Sequence, residues 1–176
     1  MDTATIIDWY GPYSLEEAKQ AARREYGAGL YMVIGRPPQS RRHHTPQYIG
    51  LSKSLGTRIG SSKHHVLPNL DIKEIWLGEV GSYSSSGRRR KKTHPNLSSA
   101  EWAHVFLMEL EYNKKLKCNA PMPFVLLNRW WGTDYETPVD RPHKIWPDVL
   151  EYRGYGREAN LVWFAPNAKS LVRDVR

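Results

Sequence analysis

Two short apolar runs without charge set the pattern of this chain. GLYMVI at 29–34 is closed by Gly35 and Pro37-Pro38, and QYIGL at 47–51 follows Pro46. β-prone residues bounded by glycine and proline predict two strands joined as a hairpin. After the second run, Leu55 and Ile59 stand one helical turn apart and predict a helix, with Ser52 or Ser54 as its N-cap. Residues 3–10 predict an earlier short strand closed by Gly11-Pro12. Ser14-Leu15-Glu16-Glu17 is a capping box, and the stripe Leu15, Ala18, Ala21, Ala22 and Tyr26 predicts a helix that ends at Gly27 and packs on the sheet.

Farther along, IKEIWLGEV at 72–80 alternates in the manner of a third strand, with Ile72, Glu74, Trp76 and Gly78 facing one way. Residues 81–97 are serine-rich and basic without periodicity, which predicts a mobile loop. Trp102, Val105, Phe106, Met108, Leu110, Tyr112 and Leu116 give 98–117 the broad apolar surface of a long helix. A buried strand is expected at 124–128, and the runs at 149–153 and 161–165, separated by Gly154-Tyr155-Gly156, predict a further hairpin.

At 176 residues the chain suits one domain, 1–176. Its formal net charge of +8 is clustered, with Arg41-Arg42 and the run Arg88-Arg89-Arg90-Lys91-Lys92 holding seven of the basic residues. Such clusters gain free energy from counterion release on a polyanion, so nucleic acid is the expected partner. No amphipathic or lipidated segment accompanies the charge, and a membrane is not expected as a partner. No signal peptide or spanning segment is read, so the expected location is cytoplasmic. One cysteine, Cys118, excludes an intrachain disulfide. Seven Trp and ten Tyr against three Phe supply apolar surface with a polar handle, and Trp130, Trp131, Trp146 and Trp163 are read as core cover.

Gly29-Leu30-Tyr31, Tyr48-Ile49-Gly50 and an arginine ten positions after the second tyrosine, Arg58, resemble the GIY-YIG nucleases. The resemblance covers roughly 28–128. It departs from the family in its long basic linker, RPPQSRRHHTPQ at 36–47. It implies an α/β (α+β) fold, a small three-stranded antiparallel sheet flanked by helices, with an N-terminal strand and helix and a C-terminal β-hairpin extension at 129–176.

The resemblance also implies a metal-dependent endonuclease that hydrolyses DNA by a one-metal mechanism, leaving 5′-phosphate and 3′-hydroxyl ends, with RNA left open as a substrate. Tyr31 and Tyr48 would orient or activate the attacking water, with either as the base. Arg58 would stabilise charge on the scissile phosphate, and His64 or His65 would assist proton transfer. A glutamate would hold Mg²⁺ or Mn²⁺: Glu101 first, Glu111 or Glu109 as alternatives. Glu101 has a second explanation, because Ser98-x-x-Glu101 is also a capping box. Asn128 would support the site, or Asn113 in its place. From another class, the chain would be a catalytically inactive nucleic-acid-binding or assembly module on the same scaffold. A third reading makes the tripeptides accidental in a basic α/β protein.

Overall fold

The computed structural model describes residues 4–81, 96–115, 123–154, 158–164 and 168–174. The basic run Arg88–Lys92, residues 82–95 of the loop expected at 81–97, and Cys118 lie outside them, and Asn96 and Leu97 at the end of that expected loop are helical. The chain order is β1 (Ala4–Tyr13), α1 (Leu15–Glu25), β2 (Gly29–Arg36), β3 (Thr45–Ser52), α2 (Leu55–Gly60), a 3-10 turn at Leu67–Asn69, β4 (Asp71–Val80), α3 (Asn96–Met108), β5 (Phe124–Trp131), β6 (Val149–Tyr152), β7 (Glu158–Trp163) and β8 (Lys169–Asp174).

The expected small three-stranded sheet is corrected to one mixed eight-stranded sheet, ordered β3-β2-β4-β1-β5-β6-β7-β8. The two tripeptide strands and the third strand form one end of it. The sheet continues because β1 is not a short terminal strand. It runs ten residues, antiparallel to β4 on one side and parallel to β5 on the other. The hairpin β6–β7 likewise extends the sheet from β5 and is itself extended by β8, which the sequence pattern did not signal.

Both faces are covered, which is why β2 carries no charge before Arg36. Leu30, Met32 and Ile34 join one core with Ile7, Trp9 and the α3 residues Ala100, Ala103 and Leu107. Tyr31 and Val33 point the other way, into a core with Tyr10, Ala18, Ala22, Leu55 and Ile59 from β1, α1 and α2. The Ser14 capping box is formed, with Glu17 N–H donating to Ser14 Oγ at 3.3 Å and Ser14 N–H to Glu17 Oε2 at 2.8 Å. Gly56 lets α2 close on α1: a methyl there would stand 2.8 Å from Cα of Arg23.

The expected helix over 98–117 begins at Asn96 and ends at Met108. Ser98 therefore sits inside it and not at its N-cap. Glu109 turns the chain with a φ of 53°, and the apolar residues that follow are buried for a different reason. Tyr112 and Asn113 return along the outer edge of β3. Among the described residues no helix is long and apolar enough to cross a membrane.

Candidate functional site at the edge of β3

β3 ends the sheet, and the N–H and C=O groups of alternate residues point outward there, a liability that must be met. The segment from α3 onward meets it group by group. Gln47 C=O accepts from Tyr112 N–H at 3.0 Å, and Leu51 N–H donates to Glu101 Oε1 at 2.9 Å. Between them Asn113 imitates a strand: its Oδ1 accepts from Ile49 N–H at 3.0 Å and its Nδ2 donates to Ile49 C=O at 2.8 Å. This seal carries Glu101 and Asn113 to the strand that bears Tyr48.

On the α2 side of the same edge, Tyr31 and Tyr48 lie with ring centroids 5.8 Å apart. Gly50 pairs with Tyr31 across the hairpin, and the Tyr31 ring lies flat over it. A methyl on Gly50 would stand 2.5 Å from Cε1 of that ring and closer still to Cζ and the hydroxyl. The glycine of the second tripeptide is thus a requirement of the tyrosine of the first.

The Tyr31 hydroxyl is fully buried and held by named donors. His64 Nδ1 accepts from the N–H groups of Val66 and Leu67, both at 3.1 Å, so the ring proton sits on Nε2. That Nε2–H donates to the Tyr31 oxygen at 2.7 Å, and Arg58 Nε–H donates to it at 3.3 Å. Burial first, then Tyr48, holds the Tyr31 pKa far above its ordinary value against the opposing pull of Arg58, so Tyr31 is a neutral phenol. His64 has no lone pair to spare. It is buried, while His65 is exposed and stacked on it at 5.4 Å, accepting from Arg58 Nη2 at Nδ1.

Burial, then Arg58 and His65, lowers the His64 pKa from 6.5 to about 4. The unfolded chain takes up this proton first. The stability from neutral His64 is therefore complete above pH 6.5 and is lost as the pH falls from there toward about 4. Urea melts of wild type and His64→Asn across that window check it: the variant should show a shallower loss on acidification. An equal loss in both proteins would mean that His64 is not buried neutral. The slope that remains includes His104, also brought to about 4, chiefly by burial.

Tyr48, Arg58, His65, Asn69, Glu101 and Asn113 line one cleft of about 790 Å³, with Tyr112, Lys114 and Lys115 on its outer wall. Tyr31 and His64 stand behind it. Burial raises the Glu101 pKa, with the Leu51 N–H and Arg58 opposing. Among the described residues no group of three or more His, Cys, Asp and Glu gathers as metal ligands. One carboxylate beside an arginine fits a hard divalent cation shared with the oxygens of a bound phosphate, and does not fit a cation held by protein alone.

The remaining candidates stand elsewhere. Asn128 is in the opposite core, where its Oδ1 accepts from Trp9 Nε1 at 2.8 Å and its Nδ2 donates to Pro147 C=O at 2.9 Å. Glu109 pairs with Arg173 at 3.2 Å, and Glu111 faces a different cleft together with Arg42. Arg41 is exposed in the loop between β2 and β3. Tyr112, Lys114 and Lys115 were hidden in the sequence because the long-helix expectation absorbed them; the only local signal was the apolar spacing that tightens at Leu110. No protein-family model, curated protein or solved structure matches the chain.

Proposed function

We propose that this protein is a metal-dependent endonuclease that hydrolyses DNA phosphodiester bonds to 5′-phosphate and 3′-hydroxyl ends. The observation that carries this reading is the gathering of Tyr48, Arg58 and Glu101 on one cleft, with Tyr31 and His64 locked behind them. It rests on the site and not on the sheet, since folds host many functions.

Tyr48 lines the cleft whereas Tyr31 is a buried neutral phenol, so Tyr48 is the base that takes the proton of the attacking water. Arg58 lies beside its hydroxyl. The planar guanidinium also faces the phosphate and stabilises the charge added as water oxygen bonds to phosphorus. The bond to the 3′ oxygen breaks, and that oxygen takes its proton from solvent. Tyr31 and His64 are positioning residues that hold Arg58 and the Tyr48 ring. A divalent cation at Glu101, when bound, supplies positive charge to the phosphate and the leaving oxygen.

Supercoiled plasmid incubated with Mg²⁺, Mn²⁺ or chelator tests the reading. Metal-dependent nicking by wild type and its loss in Tyr48→Phe are expected; nicking by Tyr48→Phe at the wild-type rate would remove the proposed base. A non-cleaving nucleic-acid-binding module is favoured by one observation, that Glu101 already serves the β3 edge. That reading expects DNA binding with no product in any metal.

A further inference from the structure

A second cleft, of about 750 Å³, opens at the other end of β3. It brings together Arg42, Lys73 and Lys144 with His43, His44 and His143 from three separate stretches of chain. Glu111 is the one carboxylate lining it among the described residues. Nearby acids are engaged: Asp71 pairs with Arg36 at 2.7 Å and with His44 at 3.4 Å, and Glu74 lies 3.6 Å from Lys73. Among the described residues neither Arg42 nor Lys144 has a carboxylate partner. The His143 pKa is held below the usual imidazole range, by burial first and then by Lys144 and Lys73, as a positive field requires.

This cleft and the first share a wall. The turn after α3 gives Glu111 to one and Tyr112 and Asn113 to the other. Thr45 and Gln47 line the second cleft, while Leu51 anchors Glu101 in the first. Gln47 of the second cleft and Tyr48 of the first are consecutive in β3. One strand of B-DNA carries a phosphate every ~3.4 Å of axis, so a strand seated in the first cleft has neighbouring phosphates within reach of an adjoining basic cleft.

We propose that the second cleft is a phosphate-backbone subsite, which holds the nucleic-acid strand beside the bond seated in the first cleft. The proposal rests on the nuclease reading for what the first cleft holds. Arg42 and Lys144 each neutralise one phosphate.

The test is binding of a fluorescent 20-base-pair duplex to the full chain, in chelator and at several NaCl concentrations, read by anisotropy. In Arg42→Ala/Lys144→Ala the slope of log affinity against log salt should be shallower by about 1.8, two phosphates at ~0.9 each. A control with two distant exposed cations removed, Arg24→Ala/Lys169→Ala, should keep the wild-type slope. A wild-type slope in the Arg42/Lys144 variant overturns the subsite, as does an equal change in the control.

The two readings fail separately. Wild type that binds with this dependence yet never cleaves loses the nuclease reading and keeps the subsite. Wild type that cleaves while the double variant keeps its slope does the reverse. Wild type that binds no duplex at all overturns the subsite, and leaves an acidic polypeptide as the partner of this cleft.

Discussion

Arg58→Ala is expected to cut metal-dependent plasmid cleavage by about 10²–10³-fold, the usual cost of removing a preorganised charge from a developing oxyanion. The fold should survive. Arg58 is only partly buried, in the last turn of α2, and its two hydrogen bonds, to Tyr31 and His65, are both long at 3.3 Å. Its loss should lower the melting temperature by only about 2–4 °C, equivalent to about 1 kcal/mol in a chain of this size. Arg58→Lys keeps the charge but not the planar fork, so its rate should fall between wild type and Arg58→Ala. Cleavage by Arg58→Ala at the wild-type rate would place the activity outside this cleft. Supercoiled plasmid on a gel, with chelator lanes, reads the result directly.

Gly50→Ala should do what no surface change does, disturbing stability and site together. The new methyl would overlap the end of the Tyr31 ring. That ring cannot slide away cheaply, because its hydroxyl takes the 2.7 Å bond from His64 and a second from Arg58. Overpacking of this kind costs about 1–3 kcal/mol, a fall in melting temperature of about 2–12 °C here. Cleavage should fall with it, since Arg58 and Tyr48 lose the group that holds them. A double-mutant cycle separates the clash from general damage: in the Gly50→Ala background, Tyr31→Ala should cost less than in wild type. Additive costs, or a Gly50→Ala protein that melts and cleaves as wild type does, would show that the close approach is not required.

The strands at 29–34 and 47–51 were legible because both their signals are local: residues without charge, and glycine or proline at the ends. The Ser14–Glu17 box was legible for the same reason. The sheet beyond the first three strands was not, because no local period reports that Trp9 will lie beside Trp130. Glu101 was a candidate through resemblance alone, and its partner in the fold, Leu51 N–H, comes from edge geometry that a helix-phase argument cannot supply. The end of α3 was hidden because Glu109 adopts a left-handed backbone usually left to glycine or asparagine. Among the histidines, sequence adjacency concealed a division of labour: His64 is turned inward by two backbone donors and His65 is left outside. Asn128 was attractive as a polar residue ending a buried strand, and it is buried and hydrogen-bonded in the other core.

The parallel seam between β1 and β5 sets an order on synthesis. β1 leaves the ribosome well before its partner, which runs from Phe124 to Trp131, and side chains as far apart as Trp9 and Asn128 close that seam. β2, β3 and β4 can fold back on α1 and α2 early, giving the tyrosines and Arg58 their places while one edge of β1 stays open. Closing so long a loop is slow, and an open apolar edge recruits other chains in the meantime. A nascent chain halted before residue 131 would therefore hold most of the candidate site and still be a poor soluble product, so the last third of the sequence acts as the cover for its first strand.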